Sequence, residues 1–409
     1  MSSAPASRRP RAAARPRAVL VGVEEIELRI EKLVAGGEGF GVWNGVPVFV
    51  PRSAPGDRVR ARITERRAGY GRAEIVELLE AGEGRREPPC PHFGDCGGCD
   101  LQHLDEEHQL RWKSEATLET LRRLSRLALP TPRRIVAGAG WHYRLRTQVH
   151  TRVAEGRTEV GYHARGSHRL VPVASCAVLE PRLERALLAL PTQLAPPVPA
   201  RIDLAVGGDG AIATAPPLPG APGGELVRRV AGHEYRYDAR CFFQGHAGLL
   251  ERLVDCVIGE TGGEAAFDLY GGVGLFALPL AARHRRVVLV EGDRVAARHA
   301  RGNAQRAHYP HLEIVARAVE SWMPAGYPDA ADRVVVDPPR DGLPFLVRRL
   351  LAARPARRLT YVSCHPAALA RDLAELAPAY AVESIDLVDL FPQTGQMEVV
   401  VQMTSRGAA

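Results

Sequence analysis

From about residue 246 onward, apolar strands alternate with helical segments, and no other pattern in this chain of 409 residues narrows the choice of fold as much. The first strand of the series, Ala265–Tyr270, runs into Gly271-Gly272-Val273-Gly274 and then into the helical segment LFALPLAAR. Alternation of strand and helix is typical of an α/β domain with a mostly parallel sheet. We therefore expect residues 246–409 to form a Rossmann-like domain.

The ends of these strands carry residues suited to a nucleotide cofactor. Gly272 and Gly274 would let the backbone approach such a cofactor closely, although a purely structural turn gives the same pattern. The second strand ends at Glu291, about 20 residues after the glycines, where an acidic side chain can bind ribose hydroxyls. A solvated strand end is the simpler alternative for Glu291. The third strand ends at Asp337, which we expect at the same edge because the carboxyl ends of parallel strands line the ligand crevice.

Two reactive side chains follow in the same series. Cys364 comes directly after the fourth strand, at the position from which a nucleophile would reach the crevice. A buried structural cysteine is the alternative, and in isolation it is the more common one. Glu398 opens an otherwise apolar strand, and a carboxylate near a cleft can act as a general base.

Three of the seven cysteines are clustered in the segment CPHFGDCGGC, with the spacing C-x5-C-x2-C. Cys90, Cys96 and Cys99 would bind a soft metal if a fourth ligand joined them. Zinc and an iron–sulfur cluster both accept thiolates; the C-x2-C spacing alone favours zinc, and the spacing does not settle the metal. The candidates for the fourth ligand are Cys176, Cys241, Cys256 and Cys364.

Composition excludes several classes of protein. The chain is 45% hydrophobic and 25% charged, and no stretch approaches the roughly 18 consecutive apolar residues of a membrane span. Cysteines are sparse, odd in number and unevenly spaced, which fits a reducing compartment rather than a disulfide scaffold. We therefore expect a cytoplasmic multidomain protein without a membrane partner.

The first 80 residues divide into an arm and a small β domain. Residues 1–18 hold five arginines, which account for most of the formal net charge of +7, and we expect them to be a disordered basic arm. Residues 19–80 read as short strands separated by glycine turns, typical of a β-barrel. The polar face of this barrel carries six arginines but only two acidic residues, Asp57 and Glu65. These arginines suit either a nucleic-acid surface, on which Tyr70 could stack, or a charged, solvated edge strand. They are Arg58, Arg60, Arg62, Arg66, Arg67 and Arg72.

The middle of the chain is less regular. Residues 81–245 begin with the cysteine-containing loop, continue into a helix near 105–127, and end in a strand-rich region from about 141 that includes Cys176. We expect this stretch to be a central domain that holds the metal group. The predicted fold class is thus a multidomain combination of β and α/β domains.

Taken together, these motifs resemble the RNA 5-methyluridine (uracil-C5) methyltransferase family, most closely its 23S ribosomal RNA branch with a TRAM domain and a 4Fe–4S cluster. The resemblance covers about residues 20–405 and rests on the order and spacing of several motifs. They are the barrel, C-x5-C-x2-C followed by DLQH, VPVASC, CFFQ, DLYGGVGLFALPLA, DPPR, SCHP and FPQTGQME.

The resemblance implies a fold and a set of site residues. It implies an N-terminal TRAM/OB-like β-barrel, a central cluster-binding strand-rich domain, and a C-terminal Rossmann-like class I methyltransferase domain. The cluster would be held by four cysteines, Cys90, Cys96, Cys99 and Cys176, which reverses the preference for zinc. S-adenosylmethionine would be held by Gln244, Tyr270, Gly272, Gly274, Glu291 and Asp337. Cys364 would be the nucleophile and Glu398 the general base.

The implied reaction explains why a thiol and a carboxylate are both needed. Carbon 5 of uracil is a poor nucleophile, and addition of the Cys364 thiolate to carbon 6 would make carbon 5 enolate-like and able to accept a methyl group. Glu398 would then remove the proton from carbon 5. Because carbon 6 is inaccessible in a stacked base, the uridine should be flipped out of its RNA.

The motifs that carry the resemblance do not identify which RNA is the substrate. We expect a monomeric enzyme that acts on 23S rRNA; the alternatives are the same reaction in the T loop of tRNA, and a non-catalytic RNA-binding iron–sulfur protein.

The chain departs from the family pattern at six positions, which concern substrate recognition more than catalysis. Glutamines replace two histidines of the FPHTxHxE pattern, and glutamine cannot titrate, so any support those histidines give to the pKa of the base is absent. The six residues are His246, Gly271, Leu275, His365, Gln393 and Gln396.

Overall fold

The computed structural model describes residues 24–218, 224–329 and 331–407. The predicted basic arm at 1–18 lies outside these ranges. Within them, no helix is both long enough and apolar enough to cross a membrane.

The N-terminal strands form a six-stranded sheet that closes on itself, in the order β1-β5-β6-β4-β3-β2. β1 at one edge leads within three residues into β2 at the other edge, so the sheet curls into a barrel around an apolar core that includes Ile26, Val50 and Val59. Asn44 and Gly45, both with positive φ, make the tight turn between β3 and β4. The strands are β1 (Glu25–Arg29), β2 (Lys32–Leu33), β3 (Gly39–Trp43), β4 (Val46–Val50), β5 (Arg58–Arg67) and β6 (Tyr70–Glu80).

A long loop and one helix connect the barrel to the rest of the molecule. The helix predicted near 105–127 is α1 (Glu106–Ser125); it begins at Asp105, whose side chain accepts a hydrogen bond from the backbone N–H of His108, and it ends at Arg126 with left-handed backbone. A short strand, β7 (Arg134–Val136), follows.

The central region contains a five-stranded antiparallel sheet in the order β10-β9-β8-β11-β12, followed by a separate hairpin of β13 and β14. Its elements are β8 (Arg146–Ala154), β9 (Arg157–His163), β10 (Leu170–Pro172), α2 (Pro181–Gln193), β11 (Arg201–Val206), β12 (Ile212–Ala215), β13 (Leu226–Val230) and β14 (His233–Tyr237).

The C-terminal region forms an eight-stranded sheet in the order β17-β16-β15-β18-β19-β21-β20-β7, in which β15 to β19 are parallel and β21 is antiparallel. Its strands are β15 (Gly263–Leu269), β16 (His284–Glu291), β17 (Leu312–Ala316), β18 (Arg333–Val336), β19 (Arg358–Ser363), β20 (Tyr380–Val388) and β21 (Glu398–Ser405). Its helices are α3 (Leu250–Ile258), α4 (Ala277–Ala281), α5 (Arg294–Arg306), α6 (Val319–Gly326), α7 (Phe345–Ala353) and α8 (Pro366–Leu376).

This sheet is covered on both faces, so the alternating strand residues belong to two cores. Ala266 lies in a core shared with α3, α4, α5 and the central region, whereas Phe267 lies in a core shared with α6, α7 and α8. Leu121 of α1 also belongs to the second core, and β7 pairs in parallel with β20. Residues 106–136 therefore pack on the C-terminal sheet, and the predicted boundaries at 80/81 and 245/246 stay a prediction.

Candidate active site

Sheet topology brings the strand-end residues to one edge. β15, β16, β18 and β19 are parallel and end just before or at Tyr270, Glu291, Asp337 and Cys364. β21 runs in the opposite direction, so its first residue, Glu398, lies at that same edge. The structure thus places residues that are more than 120 positions apart in sequence around one crevice, at the point where the strand order reverses.

The glycine-rich turn has a backbone that requires glycine. Gly272 has φ of 55° and Gly274 has φ of 96°, both in the left-handed region. The backbone N–H of Gly272 donates to Glu291 Oε2 at 2.8 Å, and Asp293 N donates to Glu291 Oε1 at 2.6 Å. Glu291 therefore lies directly beside the turn, where its carboxylate could exchange these bonds for hydroxyl donors of a ribose.

Gln244, Tyr270, Gly272 and Asp337 line one pocket together with aromatic residues such as Phe242. Gln244 Nε2 donates to Asp337 Oδ2 at 3.4 Å, while the buried Gln244 Oε1 has no hydrogen-bond partner among the described residues. Burial raises the pKa of Asp337 to about 7, and the hydrogen bond from Gln244 opposes this rise. An unused acceptor and a half-buried acid are thus available to a polar ligand.

Asp268 is a buried acid that sequence reasoning did not single out. It is fully buried within β15, and neither carboxylate oxygen has a hydrogen-bond partner in the described ranges. Burial, and secondly the charge of Asp337, raise its pKa well above the usual range. The signal was an acidic residue inside the apolar strand AAFDLY, because a buried carboxylate is costly without a function or a partner.

Glu398 is close enough to Cys364 for its charge to act on the thiol. Burial is the main cause that raises the pKa of the Cys364 thiol to about 11, and the charge of Glu398 raises it further. Glu398 is only 2% exposed, and burial, followed by the charge of Asp337, raises its pKa well above the usual range. The charge of Arg340 lowers the pKa of both groups.

Arg340 is therefore a member of the site to which sequence reasoning assigned no role, although it stands in the motif DPPR. A thiol, a high-pKa carboxylate and an arginine at one crevice can combine a nucleophile, a proton acceptor and a charge that favours the thiolate.

The four cysteines of the predicted metal site line a single cavity. Cys90, Cys96, Cys99 and Cys176 surround a volume of about 140 Å³. Hydrogen bonds hold the two parts of the cavity wall together. Gly97 N donates to the carbonyl of His163 at 3.0 Å, and Ala174 N to His92 Nε2 at 2.8 Å.

Four thiols around one cavity are a donor set that either a 4Fe–4S cluster or a zinc ion can use. In the described residues, no three Cys, His, Asp or Glu side chains converge closely enough to bind one metal ion. Zinc needs its thiolates about 2.3 Å from one centre, whereas a 4Fe–4S cluster gives each thiolate a different iron. Burial raises the pKa of Cys99 to about 12 and that of Cys176 to about 11.

Four of the departures from the family pattern are explained by packing or hydrogen bonding in the structure. A Cβ atom at Gly271 would meet Leu289 at 2.6 Å, so this site has no room for a side chain. His246 is buried and stacks on Tyr143 with ring centroids 4.6 Å apart. His365 caps α8 by accepting a hydrogen bond from Ala368 N, and Leu275 is buried in the core.

The arginines of the barrel hairpin are paired with more acidic residues than the two expected from the sequence, Asp57 and Glu65. Each of the six forms an ion pair with a glutamate of β5, of β6 or of the segments in and around β1 and β3. The pairs are Arg58–Glu80, Arg60–Glu77, Arg62–Glu25, Arg66–Glu24, Arg67–Glu65 and Arg72–Glu38. Asp57 is buried and binds Arg85, and Tyr70 packs edge-on against Phe49. These six arginines therefore give this face of the hairpin no surplus of unpaired positive charge.

Comparisons with known proteins place the chain in a family. Residues 327–406 match the family model tRNA (Uracil-5-)-methyltransferase, and residues 21–76 match the TRAM domain. A protein of Chromohalobacter salexigens named 23S rRNA (uracil(1939)-C(5))-methyltransferase RlmD is 35% identical, over 92% of this chain and 89% of its own. A protein of the same name from Alkalilimnicola ehrlichii is 31% identical, over 92% of this chain and 95% of its own.

A solved structure shares the fold. The tRNA (uracil-54, C5)-methyltransferase of Pyrococcus abyssi, in complex with S-adenosyl-L-homocysteine, superposes with a TM-score of 0.71 at 23% identity, covering 93% of this chain and all of its own. The predicted combination of a TRAM domain with a methyltransferase fold is confirmed. The predicted enzyme class, the predicted cofactor S-adenosylmethionine and an RNA substrate are confirmed as well. The chain belongs to the RNA uracil-C5 methyltransferase family and is an S-adenosylmethionine-dependent enzyme that methylates uridine in RNA.

Proposed function

We propose that this enzyme methylates carbon 5 of a uridine in 23S rRNA through a covalent bond between Cys364 and carbon 6. The observation that carries this proposal is the meeting of Cys364 and Glu398 at the strand edge that also bears Asp337. The two relatives at 31–35% identity, both named for uridine 1939 of 23S rRNA, support the choice of RNA.

The residues around the glycine turn are suited to hold S-adenosylmethionine, which supplies an electrophilic methyl group when bound. Glu291 would accept hydrogen bonds from the ribose hydroxyls, and Gly272 and Gly274 allow the backbone to come close. Tyr270, Gln244 and Asp337 complete the pocket, with Gln244 Oε1 still free to accept a hydrogen bond.

The Cys364 thiolate would attack carbon 6 of the flipped uridine, forming the S–C6 bond and moving the electron pair toward carbon 5 and the carbonyl at carbon 4. Carbon 5 would then bond to the methyl group as the S–CH3 bond of the sulfonium breaks, and its electron pair would stay on sulfur in the departing S-adenosylhomocysteine. A thiol with a raised pKa is a poor source of thiolate, so the charge of Arg340 assists this step by lowering the pKa.

Glu398 would remove the proton from carbon 5 and so allow the S–C6 bond to break and the thiolate to leave. Its burial suits this task, because a carboxylate with a raised pKa is a stronger base than an exposed one. The Glu398 carboxylate would then carry the proton until it passes to solvent.

We also propose that Cys90, Cys96, Cys99 and Cys176 hold a 4Fe–4S cluster. The single cavity of about 140 Å³ that all four thiols line supports this assignment. In this proposal the cluster is structural, because methyl transfer has no redox step, and it ties the loop before α1 to the sheet of β8, β9 and β10. The enzyme would work as a monomer in the cytoplasm, where thiols stay reduced.

Two experiments separate this proposal from its alternatives. In a strain that lacks the gene, 5-methyluridine should disappear from one position of 23S rRNA and return with the wild-type chain, but not with Cys364→Ser. Loss from the T loop of tRNA instead would assign the enzyme to tRNA. If purified enzyme transfers no labelled methyl group from S-adenosylmethionine to uridine-containing RNA, the chain is an RNA-binding protein without this activity.

A further inference from the structure

The loop between β20 and β21, residues 389–397, ends at Glu398 and touches several other parts of the molecule. We propose that Gln393 is a positioning residue, which fixes this loop and thereby aims Glu398 at the proton on carbon 5. The inference rests on the proposed role of Glu398 as the base. It concerns a residue that the sequence comparison marked only as a departure from the family pattern.

The Gln393 side chain uses its full hydrogen-bonding capacity inside the protein. It is fully buried. Its Oε1 accepts from Gln109 Nε2 at 2.9 Å and from Arg86 Nη2 at 3.3 Å, and its Nε2 donates to the carbonyl of Gly140 at 3.3 Å and to Glu106 Oε1 at 3.4 Å. An amide supplies two donors and an acceptor with two lone pairs, so these four bonds satisfy it.

Hydrogen bonds also fix the backbone of Gln393. Its N–H donates to Gln109 Oε1 at 2.9 Å, and its carbonyl accepts from Asp100 N at 2.8 Å and from Leu101 N at 3.0 Å. Its φ of 67° lies in the left-handed region, which a non-glycine residue adopts only when its surroundings demand it. Asp100 directly follows Cys99, so the cysteine loop and the loop before Glu398 are bonded to each other.

A second contact two residues later joins the barrel to the same loop. Gly395 N donates to Asp100 Oδ2 at 3.0 Å, and the Gly395 carbonyl accepts from Gly36 N at 3.3 Å. A Cβ atom at Gly395 would lie 2.1 Å from the carbonyl carbon of Gly36, so the two segments are in direct contact. The barrel, the cysteine loop and α1 therefore all constrain the chain within five residues of Glu398.

Gln393 makes no hydrogen bond to Glu398 in the described residues, so it would act only through the loop. A general base must come within hydrogen-bond reach of its proton, and misplacement by about 1 Å can lower a rate by about 100-fold. A histidine at this position could not match the amide: a neutral imidazole has one donor and one acceptor, and a protonated one would face Arg86.

The test separates the step that uses Glu398 from the earlier steps. RNA with 5-fluorouridine at the target accepts the thiolate and the methyl group, but it has no proton on carbon 5, so the covalent adduct persists. Gln393→Ala should trap this RNA at the wild-type rate, yet its kcat on uridine RNA should fall about 10- to 100-fold with KM unchanged. Glu398→Gln gives the reference behaviour for a lost base.

Gln396→Ala is the matched control, because the Gln396 side chain lies in the same loop and makes no hydrogen bond in the described ranges. Hydrogen exchange should accelerate for amides 394–400 in Gln393→Ala but not in Gln396→Ala. Should Gln393→Ala fail to fold, Gln393→Asn, which keeps the amide and shortens its reach, replaces it. Unchanged turnover, or adduct formation and turnover that fall together, would overturn the inference. No adduct with wild-type enzyme would instead refute the proposed function.

Discussion

Arg340 lies near enough to Cys364 and Glu398 for its charge to act on both, and this makes the nucleophile testable by pH. A thiol whose pKa is about 11 is mostly protonated at pH 7, and its thiolate fraction grows as pH rises toward the pKa. Arg340 lowers this pKa, so Arg340→Gln should raise it. We expect adduct formation with 5-fluorouridine RNA to be about tenfold slower for Arg340→Gln at pH 7, the effect of one pKa unit.

Single-turnover measurements at saturating RNA from pH 7 to pH 9 check this prediction. Both enzymes should become faster as pH rises, with the Arg340→Gln curve displaced downward. Arg340→Lys keeps the positive charge and should retain most of the rate. If Arg340→Gln matches the wild type throughout, the charge at this position does not assist the thiolate.

At the residue scale, sequence patterns predicted the site residues at the ends of strands. They did not predict contacts between residues that are distant in sequence. Cys364 and Glu398 could be placed because each adjoins an apolar strand, and parallel topology brings strand ends together. The hydrogen bonds of Gln393 reach Gln109, 284 positions away, and no local pattern encodes such a pair. From sequence alone, Gln393 is notable only because glutamine cannot titrate, whereas in the structure it lies in a hydrogen-bond network that a neutral amide satisfies.

At the scale of elements, α1 is joined to the loop before Glu398 by a buried ion pair. Lys113 Nζ lies 2.6 Å from Asp389 Oδ1 and 3.0 Å from the carbonyl of Phe391, and both charged side chains are almost fully buried. Removing one partner from a buried pair leaves an uncompensated charge. We predict that Lys113→Met lowers the free energy of unfolding by about 3–5 kcal/mol, measured by urea denaturation.

The same helix offers a control for this prediction. Arg111 pairs with Glu83 at 3.4 Å, but both side chains are exposed, and exposed pairs contribute little. Arg111→Met should therefore leave the denaturation midpoint nearly unchanged. The double variant Lys113→Met/Asp389→Leu should regain most of the lost stability, and its failure to do so would show that Lys113 acts through packing rather than through the pair.

Local sequence patterns did not predict the contacts between elements that are distant in sequence. The hairpin of β5 and β6 looked cationic because its arginines are close in sequence, while several of their glutamate partners belong to segments around β1 and β3. Strand alternation predicted the barrel and the parallel sheet, since periodicity is local. The pairing of β7 with β20 was not predicted, because it joins segments about 250 residues apart.

At the scale of the whole molecule, the cysteine cavity joins the loop before α1 to the central sheet, and we expect its metal group to be required for that junction. Cys176→Ser should lose iron and visible absorbance when purified without oxygen, whereas Cys241→Ser, which alters a buried cysteine of the apolar core, should keep both. Iron content and the absorption spectrum are the measurements. Stoichiometric zinc in place of iron in the wild type would refute the cluster assignment.

The proposed mechanism requires a covalent bond between Cys364 and carbon 6 of a uridine in RNA. The most direct measurement is mass spectrometry of the proteolysed complex between the enzyme, S-adenosylmethionine and a 23S rRNA fragment that carries 5-fluorouridine. We expect one cross-linked peptide, with the methylated fluorouridine attached at Cys364, and no cross-link in Cys364→Ser. A cross-link at another cysteine, or methyl transfer at the full rate by Cys364→Ser, would contradict it.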